Sequence, residues 1–185
     1  PNSQSQEGRV NKYTAYSLLG KVLLYQDKFS ESAEAFDNVI GIYSLVDDYG
    51  DQFLRFGENG SESVFEIQYS NQSNWYDWGC AHCSEGNYAI IMNGPRGWSG
   101  PEYAQGWSFN VPTAEFYHSF HEDDSRRDAT ILDIEAFSAT TGASYTEGYD
   151  HTGYFNNKYI PRAGESGGQT ELNYLTNYRI IRYAD

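Results

Sequence analysis

The feature that most constrains the fold is a helical apolar pattern between residues 11 and 40. Apolar and aromatic residues recur at spacings of three and four in NKYTAYSLLGKVLLYQ and again in SESAEAFDNVI. This spacing places them on one face of a helix, and the break at DKF separates two such helices. We therefore predict an antiparallel helical hairpin over residues 11–40, with Ser30 as the N-cap of the second helix. The predicted inward faces comprise Tyr13, Tyr16, Leu19, Val22 and Leu23 in the first helix, and Ala33, Phe36, Val39 and Ile40 in the second.

The hairpin has the pattern of a tetratricopeptide unit, with small residues that would let the two helices approach closely. These small residues are Ala15, Gly20, Ala33 and Ala35. A single unit of this kind cannot bury both of its apolar faces. We therefore expect neighbouring elements outside these 185 residues, and we expect the isolated chain to aggregate or to bind a partner.

The pattern changes after Ile40, where residues 41–176 are rich in Gly, Asn, Ser and aromatic side chains. The alternating segment Glu62–Ser70 predicts a strand. A helix is predicted near residues 112–121, with Pro112 in its first position, and residues 177–185 are expected to begin a further helix. The predicted fold is a mainly α, single partial domain, in which a tetratricopeptide-type hairpin carries a long loop-rich insertion containing short strands.

Composition and charge exclude several classes of partner. The net charge is −14, from 26 acidic and 12 basic residues, so that phosphate backbones and anionic membrane surfaces would be repelled. No apolar run approaches the roughly 20 residues that a bilayer-spanning helix needs. Aromatic residues make up 17% of the chain, and 17 of them are Tyr, a composition that suits wet binding surfaces as well as half-buried cores.

Motifs for catalysis or metal binding are weak. Cys80 and Cys83, with His82 between them, offer three metal ligands but no fourth, and their flanks do not favour the helix of a redox Cys-x-x-Cys site. Asp47, Asp48 and Asp51 lack the pattern of an EF-hand. The segment around Asp124, Arg126 and Arg127 is expected to form structural salt bridges and turn contacts. Nucleophile motifs are absent, so we predict no enzyme, no metal and no cofactor.

Eight motifs, taken in order, resemble the SusD/RagB family. They are GRVNKYTAYSLLGKVLLY (8–25), FSESAEAFDNVI (29–40), YSLVDDYGDQF (43–53), SESVFEIQYS (61–70), GWSFNVPTAEFYHSF (106–120), DSRRDATIL (124–132), YFNNKYI (154–160) and NYRIIRYAD (177–185). The family comprises surface-exposed outer-membrane lipoproteins that capture nutrients for a SusC-like TonB-dependent transporter. Its members are typically far longer, so the resemblance implies an internal part of such a protein, with the lipid anchor outside it.

The resemblance places the aromatic segments of the insertion on the ligand-binding face. The expected contacts to a glycan are Asn74, Trp75, Tyr76, Asp77 and Trp78, together with Arg96 and Trp98 in a second segment. Flat rings bury the apolar faces of sugars, while amide, carboxylate and guanidinium groups bind the hydroxyls. The alternative is that these rings anchor their loops onto the rest of the fold. Trp107, just before the predicted third helix, is expected to pack rather than to bind.

The resemblance therefore implies non-catalytic binding of an oligosaccharide or polysaccharide at the bacterial outer membrane, and its delivery to the transporter. For a surface-exposed protein it also favours a disulfide between Cys80 and Cys83 over a metal site. Two other functions remain open: a tetratricopeptide-type scaffold for protein partners, and an accessory domain of a glycan-degrading enzyme. A peptide is an alternative ligand.

Overall fold

The structure, a computed structural model, describes residues 2–72, 85–167 and 172–185. Its backbone contacts divide the chain into two compact units. The hairpin unit comprises residues 1–68 and 177–185, and the insertion unit comprises residues 69–176. Each unit is described separately below.

Two helices open the hairpin unit, α1 (Lys12–Leu24) and α2 (Phe29–Asp37). The side chain of Asn11 caps α1, accepting hydrogen bonds from the N–H groups of the second and third helical residues, each at 2.9 Å. The backbone reverses through Asp27, whose φ is +59°. This tight turn starts α2 at Phe29, so the prediction of Ser30 as its N-cap is wrong.

Small and polar residues line the contact between the two helices. α1 buries Thr14, Ser17 and Gly20, and the Ser32 hydroxyl on α2 donates to the Gly20 carbonyl oxygen at 2.8 Å. A Cβ at Gly20 would lie 2.6 Å from the Phe36 ring. The two backbones approach closely because these residues carry little side-chain volume at the contact.

The inward face predicted for α1 is therefore wrong in part. Leu19 and Val22 are 47% and 45% exposed, because the close contact at Gly20 turns them away from α2. On α2, Val39 is buried and Phe36 is half-buried, as predicted, whereas Ile40 is 63% exposed. Of the remaining predicted inward residues, Tyr13, Tyr16 and Leu23 are half-buried and Ala33 is exposed.

A two-stranded antiparallel sheet completes the hairpin unit, pairing β1 (Ser63–Ile67) with the last described strand, β6 (Tyr178–Arg182). The strand predicted near residues 62–70 is confirmed. The helix start predicted at 177–185 is wrong, because residues 178–182 alternate between exposed and buried and pair with β1. Two short 3-10 helices, Tyr49–Phe53 and Arg55–Gly57, lie between α2 and β1.

A buried polar network joins β1 to β6. The side chains of Glu66 and Arg179 are 0% and 3% exposed, with 3.4 Å between Oε1 and Nε. The carboxylate of Glu66 also accepts hydrogen bonds at 3.0 Å from the backbone N–H of Asn59 and from the side-chain amide of Asn177. A buried charge needs such partners, since desolvation penalises it otherwise.

The insertion unit is built from short elements. Its helices are α3 (Ala89–Met92), α4 (Ala114–His118), α5 (Arg126–Thr130) and α6 (Ile134–Thr141), and its strands are β2 (Arg96–Ser99), β3 (Ile131–Asp133), β4 (Ser144–Thr146) and β5 (Tyr154–Asn156). β2 pairs with β4 and β3 with β5, both antiparallel. The helix predicted near 112–121 exists as the shorter α4, and Pro112 lies outside it because Thr113 is its N-cap.

Two apolar clusters form the core of the insertion unit. The ribbon cluster comprises Tyr103, Leu132, Ile134, Phe155 and Ile160. The α3 cluster comprises Ile90, Ile91, Leu172 and Tyr174. A region expected to be loop-rich therefore encloses well-buried side chains, with Ile90 and Ile134 at 0% exposure. Among helices in the described ranges, none has the length and apolar character that crossing a bilayer would require.

Candidate functional site

Most of the predicted ligand-contact residues lie outside the described residues. These are Asn74, Trp75, Tyr76, Asp77 and Trp78, and with them the predicted disulfide partners Cys80 and Cys83. Their roles stay predictions. The other two predicted contacts, Arg96 and Trp98, are both in β2.

A β-bulge separates Arg96 from Trp98. Arg96 pairs with Thr146 and Ser99 with Ser144, so three steps along β2 match two steps along β4. The extra residue is accommodated at Gly97, whose φ of +59° favours glycine. Because a bulge breaks the alternation of side chains, two residues at a spacing of two no longer share a face of the ribbon.

Trp98 packs onto the core of the insertion unit. Its ring lies against the ribbon cluster, with centroids 5.9 Å from both the Tyr103 and the Phe137 rings. Its indole Nε1 is buried and has no hydrogen-bond partner among the residues that the structure describes. These contacts favour the anchoring alternative for Trp98, and a ligand could reach only the part of the ring that stays exposed.

Arg96 lies on the exposed side of the ribbon, where neighbouring groups fix its guanidinium. Its Nε donates to the Trp107 carbonyl oxygen at 2.6 Å, and its Cζ lies 5.5 Å from the centroid of the Phe109 ring. Within the described ranges, no residue accepts a hydrogen bond from its two terminal nitrogens. Arg96 is thus held in place with donors free to bind a polar ligand.

Trp107 packs as predicted. Its half-buried ring contacts the α3 cluster, and its centroid is 6.2 Å from that of Phe109. Phe109 was missed in the sequence as a candidate contact because it belongs to the same motif, GWSFNVPT, which indicated packing. The structure leaves Phe109 51% exposed, so the motif contains one inward and one outward ring.

The charged segment after α4 forms the structural contacts that the sequence predicted. Arg126 binds Asp124 with 2.6 Å between Nη2 and Oδ2, and this hydrogen bond holds the pKa of Asp124 at about 2. Arg127 pairs with Asp128 and stacks 5.0 Å from the Tyr117 ring centroid. These carboxylates therefore form structural contacts within their own segment.

Acidic residues of the hairpin unit also have structural partners. Asp48 caps the first 3-10 helix, accepting a hydrogen bond from the Gly50 N–H at 2.8 Å. Over the described ranges, no group of three or more His, Cys, Asp and Glu side chains is placed to hold a metal ion.

Comparisons with known proteins find relatives that cover nearly the whole chain, although no family model matches it. The chain is 28% identical over 200 residues to SusD-like protein P2 from Formosa agariphila, covering 100% of this chain and 37% of the relative. A solved structure of a laminarin-binding SusD-like protein is 38% identical, with a TM-score of 0.88, over 99% of this chain and 43% of that one.

A second solved structure is similar to the same degree in fold. Surface glycan-binding protein A from Bacteroides thetaiotaomicron, in complex with laminarihexaose, is 30% identical with a TM-score of 0.88, over 99% of this chain and 43% of that one. The chain thus spans about two-fifths of the length of these relatives. The agreement in fold and sequence runs through nearly the whole chain, which therefore belongs to the SusD/RagB family.

Proposed function

We propose that the protein binds an oligosaccharide or polysaccharide nutrient at the bacterial outer membrane, without catalysis. The observation that carries this proposal is the likeness of 99% of the chain to a laminarin-binding SusD-like protein, at 38% identity. The complex of surface glycan-binding protein A with laminarihexaose supports the same class of ligand. Laminarin and its oligosaccharides are therefore the first ligands to test.

The proposed contacts are the aromatic and polar residues of two segments in the insertion unit. They are Asn74, Trp75, Tyr76, Asp77 and Trp78 in the first segment, and Arg96 with the exposed part of Trp98 in the second. Sugar rings present C–H faces that stack on flat aromatic rings, and hydroxyls that accept hydrogen bonds from guanidinium and amide groups. The exposed, oriented guanidinium of Arg96 suits this role.

The buried carboxylate of the hairpin unit, Glu66, is not a candidate catalytic group. Glycoside hydrolysis needs two carboxyl groups facing a cleft at a fixed separation. Both carboxylate oxygens of Glu66 have partners. Oε1 contacts the Arg179 guanidinium and accepts a hydrogen bond from the Asn59 N–H, and Oε2 accepts one from the side-chain amide of Asn177. Glu66 is thus committed to the fold and has no oxygen free to protonate a leaving group.

We further propose a SusC-like TonB-dependent transporter as the partner that receives the glycan, and a location at the cell surface with membrane attachment through a lipid anchor. The α1–α2 hairpin is proposed to be a tetratricopeptide-type unit, for which the close contact at Gly20 is the supporting feature. Cys80 and Cys83 are proposed to form a local disulfide.

The binding experiment is a calorimetric titration of the intact protein with laminarin, laminarihexaose and a xylogluco-oligosaccharide. We expect laminarihexaose to bind, and we expect Trp75→Ala and Trp78→Ala each to weaken it about tenfold, equivalent to about 1.4 kcal/mol. Tyr25→Ala is the control, because Tyr25 is an exposed ring of the hairpin unit.

Two results would contradict the proposal. One is the absence of binding to every glycan in the set, and the other is release of reducing sugar by the purified protein. Equal binding by wild type and both Trp variants would remove these two residues from the site and leave glycan binding intact.

A further inference from the structure

An almost fully exposed ring stands in the insertion unit outside the predicted site. Tyr149 is 93% exposed and lies in the turn between β4 and β5. A ring at that exposure buries too little area to stabilise the fold. The short segment Gly148-Tyr149-Asp150 has a turn-like composition and carries this aromatic residue in the middle.

The chain after this turn is hydrogen-bonded to another part of the insertion unit, and Gly148 before it lies close to Ser108. Before Tyr149, the position of a Cβ at Gly148 is 3.2 Å from the Cβ of Ser108. After it, His151 Nε2 is 3.1 Å from the Tyr145 hydroxyl, and the Thr152 hydroxyl donates to the Pro112 carbonyl oxygen at 2.7 Å. A turn whose backbone is restrained in this way loses less conformational freedom when a ligand binds it.

The backbone at the turn is also unusual. Asp150 has a φ of +56°, a conformation that few residues other than glycine adopt. Asp adopts this region more readily than most residues, and it does so here within a turn. The backbone at Asp150 thus completes the tight turn that carries Tyr149.

Ser108 connects this turn to Arg96. Its Oγ accepts a hydrogen bond from the Arg96 N–H at 3.1 Å, and its Cβ lies against Gly148. Arg96 also pairs with Thr146, three residues before Tyr149. We define the outer ribbon surface as Arg96, Phe109, Thr146 and Tyr149, all of which are exposed.

The chemistry of the outer ribbon surface favours a neutral, hydroxyl-rich ligand. Phe109 and Tyr149 offer apolar ring faces, and the Arg96 guanidinium offers oriented donors. An anionic ligand is disfavoured, since the exposed carboxylates of Glu147 and Asp150 flank Tyr149 and the chain carries a net charge of −14.

We infer that the outer ribbon surface is an additional contact region for a neutral oligosaccharide, in which Tyr149 stacks on a sugar ring and Arg96 binds its hydroxyls. The inference rests on the proposed glycan binding and extends it from Arg96, a predicted contact, to Phe109 and Tyr149, which are outside the predicted set. Laminarihexaose has six sugar rings and laminaribiose two, so the longer ligand has rings to spare for an additional contact.

The test is calorimetric titration of the intact protein with laminarihexaose and with laminaribiose. Tyr149→Ala weakens laminarihexaose binding about tenfold, the loss expected for one stacked ring, and leaves laminaribiose binding within about twofold. Tyr25→Ala is the matched control, because Tyr25 is 82% exposed and belongs to the hairpin unit. Thermal unfolding of Tyr149→Ala matches that of wild type, since the ring is not part of the core.

The outcomes separate this inference from the function on which it rests. If Tyr149→Ala binds laminarihexaose like wild type while Trp75→Ala binds it more weakly, the outer ribbon surface is not a contact region. Glycan binding itself then still holds. Failure of the wild-type protein to bind laminarihexaose overturns both. Loss of laminaribiose and laminarihexaose binding in equal proportion overturns the assignment of Tyr149 to an additional region.

Discussion

The two units of the chain differ in how their sequence pattern relates to what they bury. The hairpin unit has the clear helical periodicity, yet its first helix buries Thr14, Ser17 and Gly20 and exposes Leu19 and Val22. The insertion unit has no sustained period, yet it contains both the ribbon cluster and the α3 cluster. Periodicity indicates a helix, therefore, but it does not establish which face of that helix is buried.

The two units are also stabilised by different interactions. In the hairpin unit, a buried ion pair between Glu66 and Arg179 joins the two strands, and small residues allow the helices to approach. In the insertion unit, closely packed aromatic and aliphatic side chains surround Ile134 and Phe155, which are 0% and 1% exposed. The following predictions test this difference, beginning with the largest effect.

Truncation in the ribbon cluster has the largest expected cost. Phe155→Ala removes a buried ring that lies within 6.3 Å of the Tyr145 ring, centroid to centroid, and should lower the free energy of unfolding by about 4 kcal/mol. Leu18→Ala on α1 is the control and should cost less than about 1 kcal/mol, because Leu18 is 55% exposed. Urea denaturation of the 185-residue chain measures both. A larger loss of unfolding free energy in Leu18→Ala than in Phe155→Ala would contradict this difference between the two units.

Breaking the buried ion pair should cost about 3 kcal/mol. Arg179→Met leaves the Glu66 carboxylate buried without its cation, and a lone buried charge is strongly destabilising. The control is Arg182→Met, which removes a partly exposed pair with Asp185 and should cost less than about 1 kcal/mol. Both are measured by urea denaturation. The double variant Glu66→Gln/Arg179→Met removes the charge but keeps an acceptor oxygen, so it should recover part of the loss. If it recovers none, the unpaired charge of Glu66 is not the cause of the destabilisation.

Substitutions on the exposed face of α1 should change the free energy of unfolding least. They should clearly change the solubility. Leu18→Ser with Val22→Ser should reduce self-association of the 185-residue chain, because both side chains are exposed and apolar. Light scattering after size exclusion measures the effect, and Lys21→Ser on the same helix is the control. Unchanged association in the double variant would show that this face does not drive it.

Local sequence signals predicted several elements correctly, and long-range pairing explains the main errors. The two helices of the hairpin, β1 and a helix near α4 follow from periodicity and residue preference. The C-terminal segment was expected to be helical, and it is a strand because β1 lies opposite it over 111 residues of separation, as in the Asn177 to Glu66 hydrogen bond. The local sequence around residues 177–185 gives no information about β1, the strand with which they pair.

For the candidate site, the residue types were informative and their orientation was not. The sequence placed Arg96 and Trp98 together in one loop, as a joint ligand contact. The bulge at Gly97 separates their environments, with Trp98 packed on Tyr103 and Phe137. A glycine between an arginine and a tryptophan does not reveal its φ, so this separation could not be predicted from the sequence.

Hydrogen–deuterium exchange of the intact protein, with and without laminarihexaose, tests most directly the claim that the insertion unit carries glycan binding. The account predicts slower exchange on ligand addition in residues 73–78, 96–99 and 146–150, and unchanged exchange in α1 and α2. Protection confined to α1 and α2, with none in the insertion unit, would contradict it.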